Sequence, residues 1–279
     1  MAATLPHARA HITLISVACI CVLGISDLAI ADEHPDWDLQ FGAGVAYMPD
    51  YSGARASGPR LRIWADGAYR TRDYGTFAID SGSLTIDPEL RWDLVDTRDA
   101  GFGLLVGYRS GRVDSAPGFA SANSGSAQFA GLPNIRGSID AGVEGHVSVF
   151  GVPLFAQIRS AVSGPQGALI NIGLYLPLSP GSSLELTLLP TVTWADGREM
   201  RTFYGVTAEQ SAASGFAPYS PSAGWENAAV EVVGDWQIGI GWHLIGSLAY
   251  QRLLRDAAAS PLVQTRNQTS ALAGIAWSF

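Results

Sequence analysis

Apolar and polar residues alternate along most of this chain with a period of two, in segments of ten or so residues separated by Gly, Pro, Asp and Ser. In the first segment Trp37, Leu39, Phe41, Ala43, Val45 and Tyr47 share one face, and Asp38, Gln40, Gly42, Gly44 and Ala46 the other. That is the signature of a strand with one apolar side. Leu84, Ile86, Leu90, Trp92 and Leu94 stand opposite Asp87, Glu89, Arg91 and Asp93. Phe102, Leu104, Val106 and Tyr108 stand opposite Gly103, Gly107 and Arg109. The pattern predicts about twelve strands, near 36–48, 59–69, 74–81, 83–94, 101–111, 137–149, 152–162, 167–178, 183–195, 227–238, 242–254 and 268–279.

A soluble sandwich would bury the apolar faces in a core, whereas a membrane barrel turns them to lipid and the polar faces to a lumen. The polar faces carry Arg60 and Arg62, Asp140 with Glu144, and Glu231 with Asp235. An Arg facing mid-membrane lipid costs ~2–4 kcal/mol, so these residues must look inward. The connections favour the membrane version. Links 112–136, 196–226 and 255–267 are long, and those at Gly151, Ser179–Ser182 and Gly239–Gly241 are tight. Long external loops and short periplasmic turns are the habit of outer-membrane barrels. The short Ser81-Gly82 link between the third and fourth segments breaks this order. The last segment runs to Phe279 with Ala271, Ala273, Ile275 and Trp277 on the same face. Trp37, Tyr69, Tyr108, Trp194, Trp236, Trp242 and Trp277 fall near strand ends, where interfacial girdles sit. The expectation is an all-β transmembrane antiparallel β-barrel.

Residues 1–31 read differently. Arg9 precedes an apolar run from Ile12 to Ile25, and Ala29-Ile30-Ala31 offers a small-x-small cleavage site. This predicts a cleavable signal peptide at 1–31 and one barrel domain over 32–279. Both cysteines, Cys19 and Cys21, lie in the leader, so the remainder offers neither disulfides nor thiol chemistry. The net charge of −8 argues against nucleic acid as a partner. All seventeen basic residues are Arg, a group that also suits lipopolysaccharide phosphates.

Three stretches carry a family resemblance. Gly42-Ala43-Gly44-Val45-Ala46-Tyr47-Met48-Pro49-Asp50-Tyr51-Ser52-Gly53 resembles the opening strand and first loop of the MipA/OmpV outer-membrane family. Pro190 to Gly224 resembles its best-marked region, through Thr193-Trp194-Ala195-Asp196, Thr202-Phe203-Tyr204-Gly205-Val206-Thr207 and Gln210 to Gly215. Tyr250 to Phe279 is similar to its closing hairpin, although Gly197-Arg198 stands where members often carry further Asp. The resemblance implies a barrel of this size in the outer membrane of a Gram-negative bacterium. One member of that family is a scaffold joining a murein-degrading lytic transglycosylase to a murein synthase; others are linked to adhesion or small-molecule passage. The implied partners are outer-membrane lipid, lipopolysaccharide and periplasmic murein enzymes.

Candidate chemistry is thin. Asp140, Glu144, His146 and Ser148 share one strand face, and His-x-Ser resembles the pairing in outer-membrane lipid hydrolases. Parity points Ser148 inward, near the periplasmic end, away from any acyl chain. His34 lies in the leader's aftermath, and His243 begins an inward face beside a turn, as an ordinary polar residue. No metal-ligand spacing or phosphate-cradling loop is present, so no catalytic, cofactor or metal residues are expected. Phe203, Tyr204, Phe216, Tyr219 and Trp225 make loop 196–226 too aromatic for a solvated segment, which suggests a plug in the barrel mouth or a docking surface. The expected role is a non-enzymatic envelope scaffold. The alternative is a small-solute channel, and an outer-membrane lipid hydrolase comes third.

Overall fold

The computed structural model describes residues 37–178 and 183–279. The leader at 1–31, His34 and the turn at 179–182 lie outside the described residues. Among the described residues, twelve antiparallel strands close into a barrel. They are β1 (Trp37–Pro49), β2 (Ser57–Arg70), β3 (Thr76–Asp80), β4 (Glu89–Asp96), β5 (Ala100–Arg109), β6 (Ser138–Val149), β7 (Val152–Ala161), β8 (Ala168–Leu174), β9 (Leu184–Ala195), β10 (Gly224–Gln237), β11 (Trp242–Leu253) and β12 (Asn267–Ser278). Leu176–Pro177 extends β8 along β9. Each strand pairs with its neighbours in sequence, and β1 pairs with β12 from Gln40↔Ser278 to Tyr47↔Ala271, which closes the sheet on itself.

The alternation decides which way each side chain points. Along β5, Phe102, Leu104, Val106 and Tyr108 are exposed, and Gly103, Leu105, Gly107 and Arg109 between them are buried. Arg60, Glu89, Arg91, Asp140, Glu144 and Glu231 are buried in the lumen. A soluble fold would have reversed these two sets. Aromatic residues gather where the strands meet the short turns: Trp242 packs edge-on to Trp277 at 4.9 Å, and Phe77 stacks on Trp92 at 5.6 Å. This arrangement is that of an outer-membrane barrel, with an apolar band and an interfacial girdle.

One end carries links 71–75, 97–99, 150–151 and 238–241, and the other carries 50–56, 81–88, 110–137, 162–167, 196–223 and 254–266. The short end is periplasmic and the long end external. At Phe150-Gly151 both residues have positive φ, 53° and 80°, the conformation a two-residue hairpin turn requires.

The structure corrects the fourth predicted strand. β4 begins at Glu89, and residues 81–88 leave the wall and enter the lumen. Leu84 and Ile86, expected on the lipid face, point into the interior. Pro88 lacks the N–H that would continue the ladder, and Ser83 N instead donates 3.0 Å to the Ile86 carbonyl in a tight turn. The Ser81-Gly82 link, short on paper, is thus an eight-residue external connection folded inward.

Candidate functional site: the plugged lumen and its outer vestibule

The inward link is fastened to the far wall. Around the barrel β4 and β10 are six strands apart in either direction, so they lie opposite each other. Glu231 on β10 accepts hydrogen bonds from Ser83 Oγ and Thr85 Oγ1, both at 2.8 Å, and from Leu84 N at 3.3 Å. Ser247 on β11 donates to the same carboxylate. Ile86 packs against Phe155, Tyr175 and Leu189 on the β7–β9 wall. At the root of the link, Asp66 accepts from Ser81 N at 2.7 Å. A carboxylate with four donors and an apolar anchor beside it hold the segment across the bore.

The lumenal faces of β4 to β7 carry a dense ion network. Arg91 pairs with Asp93 at 2.7 Å and with Glu144 at 3.1 Å. Asp140 lies between Arg109, at 2.6 Å, and Arg159, at 3.2 Å. Gln157 Nε2 donates to Glu89 at 2.7 Å and to Glu144 at 3.2 Å. Gly107 makes room for this, because a Cβ there would overlap the Arg159 guanidinium. Charges so enclosed are tolerable only when paired. Together they crowd the lumenal side of the β4–β7 wall.

Above the link, loop 196–223 forms two helices that sequence patterning did not separate from coil, α1 (Gly197–Tyr204) and α2 (Ala208–Ser214). The signals were local. Asp196 caps α1 through the Glu199 amide at 2.7 Å, and Thr207 with Gln210 forms a capping box at α2. Met200 and Tyr204 of α1 are buried against Leu169, Ala195 and Leu253. They pack beside a third short helix, α3 (Arg255–Ala259), through Ala257. Phe216 and Tyr219 pack on a second cluster with Tyr51 and Phe129. Of the aromatics noted in sequence, Phe203, Tyr204, Phe216 and Tyr219 are folded into the cap; Trp225 is exposed at the start of β10.

Cap and link enclose a vestibule of about 280 Å³, lined by Asp87, Arg109, Arg112, Glu199, Tyr204 and Glu226. Glu199 pairs with Arg109 at 2.9 Å and accepts from Gly167 N at 2.7 Å. Burial nonetheless raises its pKa to about 7; Arg109 opposes that shift and Glu226 adds to it. Arg112 sits 4.4 Å over the Phe129 ring and donates to the Phe203 carbonyl at 2.6 Å. Burial lowers its pKa to about 10. These groups tie loops to wall.

Glu144 and Asp140 are engaged by Arg91 and by Arg109 with Arg159. His146 Nε2 lies 3.3 Å from the Thr97 carbonyl at the periplasmic end. His243 is more than an ordinary polar residue. It is 1% exposed, its Nδ1 lies 2.6 Å from Asp235 and its Nε2 3.1 Å from Ser278 Oγ. Asp235, His243 and Ser278 thus stitch β10, β11 and β12 together beside the periplasmic rim. Among the described residues no three His, Cys, Asp or Glu side chains are grouped to hold a metal.

The family model described as MltA-interacting protein MipA matches residues 41–279. Relatives named MltA-interacting protein from Escherichia coli strain K12 and from Shigella flexneri are each 24% identical over 169 residues. The match covers 58% of this chain and 64% of theirs, so the chain spans a little under two thirds of their length. Similar solved structures include Pseudomonas putida OprB at high pH, 8% identical with a TM-score of 0.40, covering 88% of this chain and 94% of that one. The translocator domain of autotransporter NalP from Neisseria meningitidis is 10% identical with a TM-score of 0.40, covering 89% and 90%.

Proposed function

Since the chain belongs to the MltA-interacting protein MipA family, we propose that it is a non-conducting barrel acting as an interaction scaffold of the envelope, with a periplasmic murein enzyme as its partner. The observation that carries this reading is the obstructed bore, where residues 81–88 cross to Glu231 and an Arg network crowds the β4–β7 wall. A solute channel keeps a hydrated path, and here the inward charges of β4 to β7 are largely spent on one another. The partner class follows the name the relatives carry.

The periplasmic rim supports the partner reading in a second way. Phe150 and Ile240, at the tips of two short turns, are fully and 94% exposed. Apolar side chains held out at turn tips suit contact with another surface. Two measurements test the proposal together. Planar-bilayer recordings should stay silent, and a murein-degrading enzyme should be recovered with the barrel after mild crosslinking. Steady unit currents would favour a channel, and a barrel recovered alone would remove the scaffold.

A further inference from the structure

The segment that blocks the bore leaves the wall open at the side. β2 pairs with β3 only from Gly67↔Ile79 to Arg70↔Thr76, and β3 and β4 stop at Asp80 and Glu89. From Ser57 to Asp66, β2 has no strand on that side; across the gap stands the upper end of β5. Backbone groups alternate along a strand, and those of Pro59, Leu61, Ile63 and Ala65 face the gap. Pro59 has no N–H to leave unpaired. Leu61 N donates to the Phe119 carbonyl at 2.7 Å, and the Ser81 hydroxyl meets both the N–H and the carbonyl of Ala65 at 2.8 Å. Among the described residues nothing bonds Ile63 across the gap, and its side chain is 73% exposed. Unpaired backbone does not face hydrocarbon directly, so this edge must border a polar space.

That space is present. A cavity of about 450 Å³ is lined both by Leu61, Ile63 and Tyr108, which point outward, and by Arg60 and Arg62, which point to the lumen. Lining by both sets places the cavity at the unpaired edge of β2. Tyr47 pairs with Pro59 and Tyr69 lies at the strand's other end, so the opening sits in the outer-leaflet half of the apolar band. Arg60 pairs with Asp50 at 3.0 Å, whereas Arg62 has no ion pair among the described residues. Ser121 and Ser124 add hydroxyls at the loop level.

The geometry points to a lateral portal that takes one amphiphile from the outer leaflet, its acyl chain along Leu61 and Ile63 and its phosphate-bearing headgroup at Arg62. Arg62 lies between Leu61 and Ile63 along β2 and points to the lumen, so the headgroup turns in through the gap while the acyl chain stays on the outer face. This site is independent of the murein partner proposed above.

Native mass spectrometry of the detergent-extracted barrel tests it, with a bis-phosphorylated lipid A as probe. The wild-type protein should retain one copy. Retention should fall about tenfold with the dephosphorylated lipid and with Arg62→Gln, the loss of one charge-assisted hydrogen bond. Inorganic phosphate at the same concentration should not displace the lipid. Equal retention of the two lipids, or full displacement by free phosphate, would overturn the portal. The lipid comparison uses wild-type protein, so a poorly folding variant leaves the test intact. Heat-modifiable migration reports folding in each sample.

Discussion

Ser83 and Glu231 meet at 2.8 Å across the bore, 148 residues apart in sequence, and this bond joins the β3–β4 link to the opposite wall. Glu231→Ala removes the acceptor for three groups of the link. Hydrogen bonds to a charged partner are worth ~1.5–3 kcal/mol each, so the link should come loose while the wall persists. The expected outcome is unit conductance in planar bilayers for the variant and none for wild type. A silent variant with an intact fold would show that the ion network alone closes the lumen.

Asp140 lies between two guanidiniums and, like Arg159, has no exposed side-chain surface. Asp140→Asn keeps the shape and leaves two buried cations short of a counter-ion. Breaking a buried pair on one side costs about 3–5 kcal/mol. The temperature at which heat-modifiable migration is lost should drop sharply. Asp114→Asn, a change in an exposed loop, should leave it unmoved.

Glu199 should make the cap sensitive to pH. Its pKa rises from 4.5 to about 7 in the folded protein because burial disfavours the charged form. A raised folded pKa gives stability that is complete below about 4.5 and is lost as pH rises through 7. The cap should therefore resist limited proteolysis best in acid and less well above neutrality. Glu199→Gln keeps an acceptor for Gly167 and should flatten that dependence between about pH 5 and 8.

His243→Ala should weaken the seam at the chain's end. It takes from Asp235 one of its two side-chain partners, leaving Gln40, and frees Ser278. Leaving a buried acceptor unsatisfied costs about 1–3 kcal/mol. Folding yield into lipid vesicles should decline, and His243→Asn, which can still bridge one partner, should recover part of it.

Phe150→Asp and Ile240→Asp probe the periplasmic rim. Both side chains are free of packing, so barrel stability should change by no more than ~0.5 kcal/mol. Recovery of the murein enzyme after crosslinking should fall for the pair together. Unchanged recovery would move the contact elsewhere.

The alternation made the wall legible, because a strand between lipid and lumen has no freedom to face otherwise. Phe102 to Arg109 could be assigned to their faces one residue at a time. Residues 83–88 misled for a physical reason. Leu84 and Ile86 stand at the spacing of a lipid face, but Ile86 packs against Phe155, Tyr175 and Leu189, and Leu84 lines a lumenal pocket with Trp64, Ile245 and Leu272. Pro88 was the available warning, since a proline inside a strand belongs at an edge or an end. The ion network was visible as inward charges, whereas its partners were not, because Arg109 reaches Glu199 from another loop. The Asp235–His243–Ser278 seam needed three strands in register, which spacing along one chain does not reveal.

One stretch of chain is both cork and missing stave. Lengthening β3 and β4 to mend the staves would draw the cork, and shortening the cork would leave the staves parted. The protein's sealed axis and its breached flank are therefore a single design decision, and neither can be inherited without the other.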